Sequence, residues 1–534
     1  MNPHGFPAKG LFVRTVRAIV ISTLIMVLGN AAISAEDQRN PRPDRHEIVF
    51  MPAHELAELI LKRSLTSIEV VDAYLEQIRL YNPTLNAIVT LDEKGARKRA
   101  KQADEALAKG MIWGPLHGVP VTIKDNYATA GIRSTNSDPA HAAFIPDYDA
   151  TAVARLKAAG AIILGKENLP VKAMDYQTNN PVFGLTSNPW DTGRTPGGST
   201  GGGGAAVAAG LTPISLGNDI GGSIRIPSHF CGIYGLKPTE NMVSKFGVPP
   251  RPHKTDIRSV RYLVSYGPLA RSIDDLQLCL EVIAGPDVRD VDVPSVALIE
   301  PPVKPLKELR IAWTDGFGGI PVSVDTLRAL REFTGRLSAK GCRVEKLNPS
   351  DFDFAGAWGT YGKIMDMELG VYSSPFMRFV NFAFGWYYRK DVPFLKVVYP
   401  TSFDKYLRAI TERDAYVARM EGFLSQHDVW LCPVTSTPAF RHIKPDRYVG
   451  PYPIYSRPVL VDGKPVNYLA ANGCYTSLFN LTGNPVVVMP IGSSADGMPI
   501  GVQVVGRRWH DMDLLSIAKQ LDEVAGAYRT PPKY

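Results

Sequence analysis

The chain has 534 residues, 45% of them apolar, which is enough to bury an extensive core and too much for an extended or disordered polymer. Lys and Arg number 59 against 52 Asp and Glu, a formal charge of +7 that is too small over this length to mark a nucleic-acid binder. The five cysteines, Cys231, Cys279, Cys342, Cys432 and Cys474, are odd in number and widely spaced, with no CxxC pair, so neither a disulfide framework nor a metal-ligand pattern is read from them.

Residues 1–35 carry Lys9, Arg14 and Arg17 without an acid, then an apolar stretch from Ala18 to Leu28, then AAISA ahead of Glu36 and Asp37. That is the layout of a secretory signal peptide, and the expectation is export to the periplasm or the medium. Cleavage after Ala35 removes three positive charges and lowers +7 to +4. An uncleaved membrane anchor is the alternative, but the apolar stretch falls well short of the roughly 20 residues a span needs, so the mature chain is expected to have none. Residues 36–48 read as a polar leader.

Thr66 and Glu69 form a capping box ahead of Val70, Val71, Tyr74, Leu75 and Ile78, whose spacing predicts a helix. Further on, Val119 to Asn126 read VPVTIKDN, an apolar run with β-branched residues that ends on Lys124. Alone, such a lysine is a solvated strand end. Asp125 beside it would hold the ammonium charged if the two met, but neighbouring side chains on a strand point to opposite faces. The short apolar runs AIILG, NPVVVMP and IGVQVVG read as buried strands, and strands alternate with helices along the chain. The fold class is therefore α/β, a sheet covered by helices on both faces.

From Thr195 the chain reads TPGGSTGGGGAAVAAG. Gly197, Gly198 and Gly201 to Gly204 permit conformations that a Cβ forbids, AAVAA favours helix, and Gly210 ends it, which predicts a glycine loop opening a helix. A helix start offers unpaired N–H groups and a positive dipole end, suited to an anion or a developing negative charge. A flexible linker would not run straight into an apolar helix and the strand-like LTPISL. Neither phosphate-binding glycine pattern is present. Asp219-Ile220-Gly221-Gly222-Ser223-Ile224-Arg225 then follows a strand and presents consecutive N–H groups up to a serine, which on its own would be read as a helix cap.

Taken together, GGSTGGGGAAVAAG, LGNDIGGSIRIP and FCGIYGLKPT, with the lysine of VTIKDN 75 residues before Ser199 and Ser223 24 residues after it, resemble the amidase signature family. The resemblance runs from about Met51 to FNLTGNPVVVMPIGSSADGMPIGVQVVGRRW near the C-terminus and is faint only in between. It implies a large mixed sheet covered on both faces and a single domain over 49–534, with a signature core at about 111–290 and a variable region at about 301–460. It further implies Ser223 as nucleophile, Ser199 as a proton-shuttling serine after a cis Gly198–Ser199 peptide, and Lys124 as base. The N–H groups of Ile220, Gly221, Gly222 and Ser223 would form the oxyanion hole, with Asp219, Arg225 and Thr200 in support. Ala173, Met174 and Asp175 would face the substrate. Thr200 stands where relatives commonly carry Ser or Gly, and Gly203 where many carry Ser, Ala or Glu.

Lys124 must be neutral to accept a proton, so a pKa of about 10.4 has to fall, and burial without a carboxylate partner is the physical route. The implied reaction is hydrolysis of a small-molecule carboxylic amide to an acid and ammonia or an amine through an acyl-enzyme, with no metal or organic cofactor and no nucleic acid. A homodimer is one option for assembly. The alternatives are a glutaminase subunit of a tRNA amidotransferase, against which the signal-like amino terminus argues, a serine esterase, and a non-catalytic binding protein. The presence of all three reacting side chains argues against the last. The 12 aromatic residues from Trp358 to Tyr399 read as core under an added helical layer, as an apolar lid or acyl tunnel, or as a patch for a membrane or a second copy of the chain.

Overall fold

Strands drawn from residues 88 to 505 interleave in one mixed sheet. The computed structural model describes residues 42–534 apart from 252–259, most of 371–390, 396–397, 450–451 and 527, so the expected signal segment lies outside the described residues. In chain order the strands of the large sheet are β1 Ile88–Leu91, β2 Pro120–Lys124, β3 Ile162–Glu167, β4 Ile214–Asp219, β5 Tyr234–Lys237, β6 Ser265–Ala270, β7 Arg310–Trp313, β8 Arg343–Lys346, β9 Val429–Pro433, β10 Val486–Ser493 and β11 Pro499–Val505. Across the sheet they run β1-β3-β2-β4-β6-β5-β10-β11-β9-β7-β8. β2 is parallel to both β3 and β4, while the centre from β4 to β9 is antiparallel. β2, β3, β6, β9 and β11 are buried along their whole length, which requires a layer on each face.

The helices that matter for the site are α1 Ser67–Leu85, α2 Gly201–Ala208, α3 Arg225–Cys231, α4 Phe354–Leu369, α5 Phe403–Leu424 and α6 Tyr468–Leu481. α1 starts on the capping box expected of it: the Thr66 N–H donates to Glu69 Oε2 at 2.8 Å and the Glu69 N–H donates to Thr66 Oγ1 at 3.2 Å. Its buried face carries Val70, Val71, Tyr74, Leu75 and Ile78.

The glycine loop expected at 201–204 is instead the first turn of α2. Space is the reason. A Cβ on Gly202 would lie 2.5 Å from the Asn168 nitrogen, one on Gly203 2.2 Å from Ser215 Oγ, and one on Gly204 2.9 Å from Pro227 Cβ. These glycines let α2 sit against the sheet and α3, a gain that offsets a helix-propensity cost of about 1 kcal/mol for each. Gly210, at φ +70°, closes the segment as expected.

α4, α5 and α6 enclose a second core of Trp358, Tyr361, Phe394, Tyr416, Trp430 and Tyr475. Within the aromatic-rich stretch, the core reading therefore holds for Trp358, Tyr361 and Phe394, whereas Phe376 and Phe379 are 72% and 51% exposed. Tyr372, Phe384, Trp386, Tyr387 and Tyr388 lie outside the described residues. All five cysteines are buried and free.

Candidate active site

β2 ends on Lys124 and its parallel neighbour β4 ends on Asp219, so both strands deliver their last residues to one edge of the sheet, where α/β folds place ligands. Ser199 lies on the turn before α2, and Ser223 on the turn between β4 and α3. The Gly198–Ser199 peptide is cis. Lys124 Nζ donates to Ser199 Oγ at 2.8 Å and to Asn218 Oδ1 at 2.7 Å. The Thr200 N–H donates to the Ser223 carbonyl at 3.1 Å, which ties the two serine turns together. Among the hydrogen bonds of the described residues, the lysine–serine step of the expected relay is present, and a bond between the Ser199 and Ser223 hydroxyls is not.

Lys124 is completely buried, and burial brings its pKa from 10.5 down to about 7 against the opposing fields of Asp219 and Glu167. Asp125 does not pair with it. The Asp125 Oδ2 atom accepts from the Thr135 N–H at 3.0 Å and from the Thr135 hydroxyl, on the other side of the strand. Glu167 accepts from Thr122 and, at 2.8 Å, from Ser215 Oγ, and burial raises its carboxyl to about 7. The lysine thus shares its pocket with a carboxyl group that burial also drives toward neutrality.

Asp219 and Arg225 form a fully buried ion pair at 2.8 Å. Burial pushes the Asp219 carboxyl up, but the Arg225 guanidinium and the bonds it accepts hold it well below the usual carboxylate range. Arg225 also donates to the Thr476 carbonyl and to Gln503 Oε1, both at 2.8 Å, and to Asn480 Oδ1 at 2.6 Å. Asn480 Nδ2 returns to Asp219 Oδ1 at 3.0 Å. Sequence reading assigned no role to Thr476, Asn480 or Gln503. The available signal was polarity in an apolar context, an Asn in FNLTG and a Gln in GVQVVG, because a buried amide needs partners.

The turn itself is shaped by its neighbours. Gly222 has φ +115°, and a Cβ there would lie 2.6 Å from Thr476 Oγ1 and 2.7 Å from Ile226 Cδ1. The Gly222 N–H donates to Asp219 Oδ1 at 2.8 Å, so of the four expected oxyanion donors those of Ile220, Gly221 and Ser223 are not committed to Asp219. Thr476 Oγ1 donates to the Gly221 carbonyl at 2.7 Å, and the Tyr361 hydroxyl to the Ile220 carbonyl at 2.8 Å. Among the described residues the Thr200 hydroxyl has no hydrogen-bond partner; its side chain packs against Gly203 and Gly217.

Asp175 lies beside this site with its carboxylate turned to protein groups. Its Oδ1 accepts from the Tyr468 hydroxyl and the Tyr176 N–H, both at 2.7 Å, its Oδ2 accepts from Tyr455, and burial raises it to about 6. A Cβ on Gly198 would lie 2.6 Å from the Asp175 carbonyl oxygen, so the segment after Ala173 and Met174 rests its backbone against the cis peptide. Tyr176, which the sequence did not single out, reaches from there to the turn of residues 220–223. Its hydroxyl stands 3.3 Å from the Cβ position of Gly221 and 2.2 Å from that of Gly473. Among the described residues, no group of three or more His, Cys, Asp or Glu is placed to hold a metal ion, and no helix is long and apolar enough to cross a membrane.

The amidase family model matches residues 69–515. The A subunit of glutamyl-tRNA(Gln) amidotransferase from Geobacillus thermodenitrificans (strain NG80-2) is 32% identical over 509 residues, covering 90% of this chain and 98% of that protein. Among solved structures, 6-aminohexanoate cyclic dimer hydrolase in complex with its substrate superposes with a TM-score of 0.72 at 26% identity, over 91% of this chain and 99% of that one. A bacterial aryl acylamidase shares the fold, with a TM-score of 0.73 at 24% identity over 89% and 96% of the two chains. These relatives overturn the expectation of export. A chain alike over 90% of its length to an enzyme named for glutamyl-tRNA(Gln) is not assigned to the periplasm or the medium on the pattern of residues 1–35. The mixed α/β sheet, the family match and the relatives agree, and the chain belongs to the amidase signature family.

Proposed function

We propose that the chain hydrolyses a carboxylic amide through an acyl-enzyme on Ser223. The observation that carries this reading is a buried lysine, brought down to about 7, that donates to Ser199 Oγ at 2.8 Å beside the turn bearing Ser223. Neutral Lys124 takes the Ser199 proton as Ser199 takes that of Ser223, and Ser223 attacks the amide carbon. Negative charge gathers on the amide oxygen, where the N–H groups of Ile220, Gly221 and Ser223 receive it. The relay run backwards protonates the leaving nitrogen, and water then cleaves the ester to regenerate Ser223.

The relatives favour one specialisation of this chemistry, the ammonia-releasing component of an amidotransferase, with glutamine as the amide and partner proteins holding the acceptor. The objection to it rested on export and falls with export. A second reading, a self-contained amidase for an uncharged bulky amide, is favoured by the aromatic groups Tyr176, Tyr361 and Phe394 around Gly221 and Gly473.

Ammonia release from glutamine and from benzamide, measured on wild type and Ser223→Ala, tests both levels. Turnover of either amide with the variant silent supports the acyl-enzyme, and equal rates in the two proteins overturn it. Preference for glutamine supports the amidotransferase component, and preference for benzamide the self-contained amidase.

A further inference from the structure

The proposed reaction leaves one contact at the oxyanion turn without a role. Tyr361, on α4 and 141 residues along the chain, donates its hydroxyl hydrogen to the Ile220 carbonyl at 2.8 Å. The ring is 2% exposed and stands edge-on to Phe394, with centroids 6.1 Å apart at 88°. Burial, and after it the charge of Asp219, push the phenol above its ordinary pKa, so it remains a donor across the working range.

In a planar trans peptide the carbonyl and the following N–H point in opposite directions. Holding the Ile220 carbonyl on Tyr361 therefore aims the Gly221 N–H the other way. The next peptide is held by the same device, since Thr476 takes the Gly221 carbonyl and the Gly222 N–H is thereby directed onto Asp219. Two successive glycines have no side chains with which to fix their own peptides and many conformations to choose from. The aim of the Gly221 N–H must come from outside the turn, and Tyr361 is the group that supplies it.

We propose that Tyr361 is a positioning residue that orients the Ile220–Gly221 peptide so that the Gly221 N–H meets the oxygen made negative when Ser223 attacks. The proposal rests on the reading of Ser223 as nucleophile. It acts through the peptide and not through the proton relay of Lys124 and Ser199. A purely structural role is already served on the same helix by Trp358, whose Nε1 donates to the Cys474 carbonyl at 2.9 Å and pins α4 to α6.

The test is phosphonylation of Ser223 by a fluorophosphonate, which places a phosphoryl oxygen where the amide oxygen would lie. Inactivation is followed by intact mass over a pH series for wild type and Tyr361→Phe, a change that removes one oxygen and keeps the ring. Loss of a whole oxyanion donor costs about 100-fold or more, so a misaimed one should lower kinact by about tenfold or more. KI should stay within about twofold, and the midpoint of the pH profile should remain near the Lys124 value of about 7. The proposal is overturned if kinact stays within about twofold of wild type, or if it falls together with a shifted midpoint, which would place the effect on Lys124. A labelled wild type with an unchanged variant removes this proposal alone. A wild type that is not labelled on Ser223 removes the nucleophile reading, and this proposal with it.

Discussion

Replacing Lys124 with Met should make the protein inert and, at neutral pH, more stable. Met keeps the reach of the side chain and discards the amine. Lowering a lysine from 10.5 to about 7 by burial corresponds to about 5 kcal/mol of folding free energy, a cost carried by the wild type at and below neutral pH. Against this, the variant loses the bonds to Ser199 and Asn218, at about 1 kcal/mol each. The balance is a variant about 2–3 kcal/mol more stable at pH 7, which for a chain of this size raises the melting temperature by a few degrees. The pH dependence fixes the origin. Because the folded-state pKa lies below the unfolded one, the unfolded wild type holds the extra proton between about 7 and 10.5, and wild-type stability relative to the variant climbs across that window. The advantage of the variant should therefore shrink by about 1.4 kcal/mol per pH unit, and vanish before pH 10. Melting curves of both proteins at pH 7, 8 and 9, with fluorophosphonate labelling alongside, measure this. A variant that melts below wild type at pH 7, or a gap that does not move with pH, would refute the argument that burial alone tunes this lysine.

Three further outcomes are expected. The rate of fluorophosphonate labelling of wild type should rise with pH through about 7, as Lys124 loses its proton, and level off above; a flat profile rules the lysine out as base. Arg225→Met leaves the fully buried Asp219 without its cation and should lower stability by about 3–5 kcal/mol, read as an early melt with no labelling at Ser223. In Gly222→Ala, a methyl lands 2.6 Å from Thr476 Oγ1 on a backbone at φ +115°, so labelling should drop by about tenfold or more, and wild-type kinetics would show that the turn yields freely.

Much of this was legible locally. The capping box of α1, the runs that become β3, β10 and β11, and the glycine after α2 each depend on neighbours in sequence. Lys124, Ser199 and Ser223 were singled out through long motifs, and Lys124 lies within hydrogen-bond distance of Ser199. What stayed hidden is set by contacts between distant segments. The glycines of α2 looked like loop formers because nothing nearby in sequence says that Asn168, Ser215 and Pro227 crowd them. Asp175 was expected to face substrate, and the two tyrosines that claim its carboxylate come from residues 455 and 468. Tyr361 was visible only as one aromatic among 12, since its hydroxyl finds Ile220 through the fold alone.

Lys124 closes β2 and the turn bearing Ser223 leaves the end of β4, the strand beside it within the large sheet, and β2 has no exposed residue. Such positions exchange their amide hydrogens through the rarest openings of a protein, whereas the outer layer formed by α5, where Phe403 and Leu407 are 75% and 51% exposed, stands more open to water. On warming, this layer should loosen while the lysine–serine contact still holds. On the proposed reading, in which Tyr361 and Phe394 beneath this layer face the amide, a protein in that condition would lose discrimination between amides before it loses the capacity to be labelled. Heat inactivation measured with a demanding substrate and with a small fluorophosphonate would then give two different temperatures, and the interval between them measures how independently the covering layer melts from the machinery beneath it.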